Sequence, residues 1–304
     1  MHNDGLGPGH ARPVDVAELA SLYLVMIGPG GKAVAHGTGF VMRDAHHTPY
    51  LVTNRHVLTA RNSKNDDHVA EGAVAPSAMM LPVMPAGHQS AWVPLVCRLG
   101  DADGRPLWLE HPTHGKLFDV VALPLDLDES LVDLVTMPQM APLARLDLAT
   151  ELFVVGFPVG FDPVVSGAGP LGVWSRGTIA WRPSWDWEGL PSFLLDCRAR
   201  PGQSGSPVYF YADEFTHFRA ADGETRTGPV SEFVGVYSGR IDKDSDIGIV
   251  WKRSAVLEVV NRGVRPTEDD YWVPDFPANV TPGLYPQDTS TSPDTAGGLG
   301  AGVS

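Results

Sequence analysis

From residue 21 to residue 251 the chain is a succession of short apolar runs, each closed by Gly, Pro, Asn or Asp. They read "SLYLVMIG", "GTGFVM", "YLVTN", "AWVPLVCRL", "FDVVALPL", "LFVVGFP", "RGTIAW", "SFLLDCR", "SPVYFY", "EFVGVYSG" and "DIGIVW". Runs of this length, rich in β-branched and aromatic residues, have the size and composition of strands. Many short strands with almost no sustained helical period specify an all-β barrel or sandwich. The 33 glycines and 27 prolines supply the tight turns such a fold consumes. Two stretches read as helix. Residues 15–24, "DVAELASLYL", are one, although their second half reads equally well as strand. Residues 252–263, "KRSAVLEVVNRG", are the other, with apolar residues at 256, 257, 259 and 260 and Gly263 as a C-terminal stop.

Strand runs lie on both sides of 126–150, where "DLDESLVDLVTMPQMAPLARLDLAT" mixes acids, Pro and Met without a period. The simplest partition is therefore an N-terminal segment 1–19, a first barrel 20–130, and a second barrel with a final helix 131–265. Residues 266–304 are rich in Pro, Gly, Ser and Thr; with little apolar surface to offset their ordering entropy, they are expected to form a largely disordered tail. A net charge of −14 and a pI near 5.1 argue against a nucleic-acid partner. The first residues lack a basic stretch followed by an apolar run of signal-peptide length. The run "LYLVMI" is too short to span a bilayer. A cytoplasmic protein with no membrane partner is the expectation. Cys97 and Cys197 read as two reduced thiols, with a single disulfide as the alternative. Without a Walker loop, HExxH or Cys/His cluster of metal spacing, no cofactor or metal is expected.

Three motifs carry chemistry. In "GTGFVMRDAHHTPYLVTNRHVL", the strand "YLVTN" delivers His56 at its end, where the turning backbone can aim an imidazole into a cleft. His36, His46, His47 and His88 read as core or surface histidines. In "KLFDVVALPL", Asp119 heads an apolar run, and a carboxylate there is costly to bury unless it is hydrogen-bonded. A histidine Nδ1–H would be such a partner, the carboxylate then fixing its tautomer. In "RPGQSGSPVYF", Gly202 and Gly205 flank Ser204. Glycines here permit backbone angles at which the N–H groups of Gly202 and Ser204 converge on one point, an oxyanion hole. The motif leads into a strand and not a helix, which speaks against an α/β-hydrolase elbow.

Together, "TNRHV", "FDVVAL" and "GQSGSPV" resemble the trypsin-like (chymotrypsin-fold) serine peptidases, in the motif style of glutamyl endopeptidases and high-temperature-requirement proteases. The order His56, Asp119, Ser204 is the order of that family, and Asp196 stands eight residues before Ser204 as in those members. "VVGFPVG" resembles a glycine-proline loop of the second barrel, and "FVGVYSG" the strand whose backbone holds substrate. The resemblance covers roughly residues 20–263 and implies two six-stranded Greek-key β-barrels with a C-terminal helix. It implies a serine endopeptidase working through an acyl-enzyme on a polypeptide substrate: Ser204 as nucleophile, His56 as base, Asp119 orienting His56, and Gly202 and Ser204 as oxyanion donors. Ser238 and Gly239 map onto the substrate-binding strand, and Arg198, Ala199 and Arg200 onto a wall of the primary specificity pocket, with Arg240 beside Gly239. Where many relatives carry an aspartate before the serine, paired with a newly cut N-terminus, this chain has Gln203, so no activating cleavage is expected.

Two further stretches carry less. "DKDSDIG" at 242–248 lacks the glycine position and the closing glutamate of a calcium loop and reads as a surface turn. "WRPSWDWEG" at 181–189 gathers three tryptophans, for packing beneath a loop or for peptide contact. Besides a general endopeptidase, two readings remain: a protease restricted to a dedicated protein partner or effector, and a latent trypsin-like fold acting as a binding or regulatory module.

Overall fold

The structure, a computed structural model, describes residues 13–88, 91–160, 171–198, 200–242, 244–267 and 271–284. In the first half these form α1 (Pro13–Ala20), β1 (Ser21–Ile27), β2 (Ala33–Arg43), β3 (Pro49–Thr53), α2 (Arg55–Thr59), β4 (Ala78–Pro85), β5 (Val93–Arg98), β6 (Val121–Pro124) and β7 (Val132–Asp133). The second half holds β8 (Glu151–Gly156), β9 (Val173–Ile179), β10 (Ser192–Asp196), β11 (Pro207–Ala212), β12 (His217–Arg219), β13 (Thr225–Thr227), β14 (Val230–Arg240), β15 (Ile247–Lys252), α3 (Arg253–Arg262) and β16 (Gly283–Leu284). Among the described residues no helix is long and apolar enough to cross a membrane.

The ambiguity at 15–24 resolves at Ala20. Before it, Ala17 and Ala20 bury one face of a short helix; after it, Leu22, Leu24 and Met26 alternate inward as a strand. The second lobe is a closed barrel in the order β10-β15-β14-β11-β8-β9. The first lobe is an all-β half-barrel in the order β16-β5-β4-β1-β2-β3-β6, with β7 pairing β4 off that path. It therefore differs in detail from a closed six-stranded ring. Among the described residues β6 does not pair with β5 to complete a ring, and the β5 edge pairs β16 instead.

The tail expectation also needs correction over 271–284. Tyr271 and Val273 are buried in the first lobe's core with Leu99 and Trp108, and β16 pairs with β5. A few anchoring side chains seated on an existing sheet order a segment whose composition alone would leave it loose. Residues 285–304 lie outside the described residues.

The two lobes share a core. Phe40, Val52, Phe118 and Val120 of the first pack against Val155, Tyr209, Val236 and Trp251 of the second, with Val256 and Val259 of α3. Phe118 and Trp251 meet edge to face with centroids 4.7 Å apart. This seam fixes how the residue after Phe118, which is Asp119, faces the second lobe.

Candidate active site

His56 enters from α2. After β3, Asn54 is extended (φ −76°, ψ 146°) and the chain turns into a five-residue helix that Ala60 closes in the left-handed conformation. Arg55 N donates to Asp119 O at 3.3 Å, and Asn54 Nδ2 donates to the same oxygen at 2.6 Å. The two segments are thus joined through the backbone before their functional side chains meet.

Asp119 is buried just ahead of β6. Its Oδ2 lies 2.6 Å from His56 Nδ1. Its Oδ1 accepts from His56 N at 3.0 Å and from Ser63 Oγ at 2.6 Å, and Ser238 Oγ donates to Oδ2. Buried carboxylates persist only when so satisfied. Burial favours the neutral acid, but the His56 charge and the hydrogen bonds from His56, Ser238 and Ser63 outweigh it. The Asp119 pKa is therefore held below its ordinary value of 3.8. For His56 burial opposes the charged ring, and the Asp119 charge and hydrogen bond prevail, raising the pKa above 6.5. An ionised Asp119 holds the Nδ1–H tautomer and leaves Nε2 as the basic nitrogen.

Ser204 stands on a loop that only glycines can complete. Gly202 has φ +91°, and a Cβ there would lie 2.5 Å from Phe157 O. Gly205 has φ +86°, and its Cβ would lie 2.0 Å from Thr38 O. Thr38 binds this loop to the first lobe: its N–H donates to Ser204 O and its Oγ1 donates to Gly202 O, both at 2.9 Å. Among the described residues, no hydrogen bond uses the N–H of Gly202 or Ser204, which leaves both donors open. Gln203 is fully buried. Its Oε1 accepts from Arg200 N at 2.8 Å and its Nε2 donates to Ser175 Oγ on β9 at 2.7 Å. A neutral amide thereby braces the loop on both sides of its turn.

His56 and Ser204 line two adjoining cavities. One of about 390 Å³ runs past Asp119, Leu117, Trp187, Leu190, Ser238, Gly239 and Arg240. The other, of about 470 Å³, runs past His36, Val57, Glu71 and Gly202. A cleft therefore passes on both sides of Ser204.

The remaining residues singled out in the sequence fall as follows. Ser238 lines the cleft and its hydroxyl donates to the Asp119 carboxylate. The β14–β15 register skips from Tyr237 to Arg240, leaving Ser238 and Gly239 unpaired with β15. A Cβ at Gly239 would sit 3.9 Å from Ser204 Oγ. Arg198, Arg200 and Arg240 are exposed, and of these Arg240 lines the cleft. Ala199 lies outside the described residues. His36 lines the second of these cavities together with His56. Ser63 and Thr38 carried no sequence signal: isolated hydroxyls acquire roles only through partners distant in sequence. Trp181 packs edge to face on Trp185 and Trp187, and Trp187 reaches the cleft. Cys97 and Cys197 are free thiols in separate packing clusters. Burial pushes them up to about 12 and about 11, far from a reactive thiolate. Among the described residues no group of three or more His, Cys, Asp or Glu is placed to hold a metal ion.

A family model described as a trypsin-like peptidase domain matches residues 37–214, more than half of the chain and inclusive of His56, Asp119 and Ser204. No curated protein matches significantly. Among solved structures the chain is similar to the Rv3671c protease of M. tuberculosis in its active form. Identity is 16% over 88% of this chain and 96% of that one, with a TM-score of 0.44. It is also similar to the thermostable serine protease AL20 from an extremophilic microorganism, at 11% identity over 81% and 97% of the two chains, with a TM-score of 0.44.

Proposed function

Since the chain belongs to the trypsin-like peptidase domain family, we propose that it is a serine endopeptidase working through His56, Asp119 and Ser204. The observation that carries this reading is the 2.6 Å contact of Asp119 Oδ2 with His56 Nδ1, at the edge of a cleft that Ser204 lines. Ser204 Oγ attacks the scissile carbonyl while its proton passes to His56 Nε2. The carbonyl oxygen becomes an oxyanion facing the N–H groups of Gly202 and Ser204. The imidazolium returns the proton to the leaving amine as the C–N bond breaks, giving the acyl-enzyme. Water, deprotonated by the same nitrogen, then releases the acid and restores Ser204. The unpaired backbone of Ser238 and Gly239 is suited to pair with the extended substrate.

The Gln203 brace supports activity without cleavage of the N-terminus, since the loop is held by neutral hydrogen bonds within the second lobe. In the same reading the enzyme is an intracellular protease of restricted range, acting on few protein substrates or one dedicated partner. The test is fluorophosphonate labelling of the intact protein, with Ser204→Ala and His56→Ala as controls. Labelling only where both residues are present is the expected result. A folded protein that fails to label would favour a latent or binding module. Cleavage of casein would count against a restricted range.

A further inference from the structure

The chain does not end its structural work at α3. Past that helix, Val264 and Glu110 exchange backbone hydrogen bonds at 3.0 and 2.8 Å, which carries the chain back to the first lobe. Val273 N donates to Gly104 O at 3.0 Å, the Arg98 guanidinium lies 4.1 Å from the Phe276 ring centroid, and β16 then pairs with β5. Residues 264–267 and 271–284 form a strap on the first lobe, wholly outside the region that matches the peptidase family.

One residue of the strap reaches the catalytic helix. Tyr271 Oη donates to Thr59 O at 3.1 Å. Thr59 is the last residue of α2, and the carbonyls at a helix end have no partner within the helix. The Tyr271 ring lies 5.7 Å from Trp108 and faces Arg55, whose guanidinium carbon is 5.9 Å from its centroid. Arg55 is fully buried immediately before His56. Its Nε donates to Glu110 Oε1 at 2.9 Å and its Nη1 lies 3.5 Å from Asp66 Oδ1 as an ion pair, while neither Nη1 nor Nη2 finds a hydrogen-bond acceptor among the described residues. A buried cation so placed relies on its ion pairs and on the ring face beside it. Tyr271 thus holds both ends of the five-residue helix that carries His56: the carbonyl at one end and the Arg55 side chain at the other.

We propose that Tyr271 is a positioning residue for His56, so that alignment of the base with Asp119 and Ser204 depends on the contacts of this one side chain with Thr59 and Arg55. This rests on the reading of His56 as the general base. Tyr271→Phe, Tyr271→Ala and Val273→Ala are made in the full chain. The His56 imidazole titration is followed by NMR, its signal assigned by its loss in His56→Ala, together with the rate of fluorophosphonate labelling. Tyr271→Phe should lower the His56 pKa toward 6.5 and slow labelling about threefold, and Tyr271→Ala should slow it about tenfold or more. Val273→Ala, which loosens the strap where it packs on Gly100 and leaves the Tyr271 contacts with Thr59 and Arg55 in place, should lower Tm but leave the titration unchanged and labelling within about twofold. The proposal is overturned if His56 titrates in Tyr271→Phe as in the parent, or if Val273→Ala shifts it as far as Tyr271→Ala does. If Tyr271→Ala does not fold, Tyr271→Phe decides alone. A parent that fails to label, with a shifted titration in Tyr271→Phe, would sink the peptidase reading and leave the brace standing.

Discussion

The two lobes solve the same problem in different ways. The second closes six strands on one another, so every strand has two neighbours and no edge is left to cover. The first leaves its sheet open, and β16, from the far end of the chain, pairs the β5 edge. The division of chemistry follows the same line. In the proposed mechanism the open lobe supplies the base and its carboxylate, His56 and Asp119, and the closed one supplies the nucleophile loop. On that reading the oxyanion donors sit on the self-contained scaffold, whereas the helix carrying His56 touches Tyr271 from the far end of the chain.

That contrast can be broken one side at a time. Ser204→Ala removes the closed lobe's contribution to bond making and should lower turnover about 10⁶-fold, read from kcat on a peptide substrate. Asp119→Asn removes the open lobe's carboxylate charge and the correct His56 tautomer. It should lower kcat about 10⁴-fold with circular dichroism unchanged. A mild loss there would mean that another acid orients the histidine.

The open lobe should also dominate the pH profile. His56 acts as base only when neutral and its pKa lies above 6.5, so kcat/KM should fall about tenfold per pH unit below that raised value. Stability should move the other way. A histidine whose folded pKa is raised stabilises fully below its unfolded value, near 6.5. That contribution is lost as pH rises through the folded pKa. Activity should therefore climb while this part of the stability falls, as urea midpoints across the same window would reveal. In the closed lobe, Gln203→Ala frees the loop from Ser175 and Arg200 and should cost about tenfold in kcat with little change in KM, by loosening one oxyanion donor. An unchanged kcat would show that the glycine turns suffice to hold the loop.

Much of the site was legible in the residues themselves. Gly202 and Gly205 are written into the sequence because positive φ and the close approach of Phe157 O and Thr38 O exclude any side chain. Asp119 stood out because an acid heading an apolar run must have partners. The run "SLYLVMIG" had the size of a strand although residues 15–24 left helix open, and α3 fell where its apolar spacing and Gly263 put it. These are local demands, and a sequence records them at the position where they act.

What only the tertiary structure decided is the set of contacts between distant segments. Ser63 and Ser238 satisfy Asp119 from 56 and 119 residues away, and Gln203 reaches Ser175 across 28. Nothing in a lone serine announces such a partner. Pro- and polar-rich residues 271–284 look unable to fold because, by themselves, they bury too little. Laid on a sheet already formed, Tyr271 and Val273 gain a core that the segment could not build. Local sequence therefore determined which strands form and which residues can do the chemistry. Packing determined where the strap lies and which distant side chains surround Asp119 and the helix of His56, because those energies arise only when two separate parts of the chain meet.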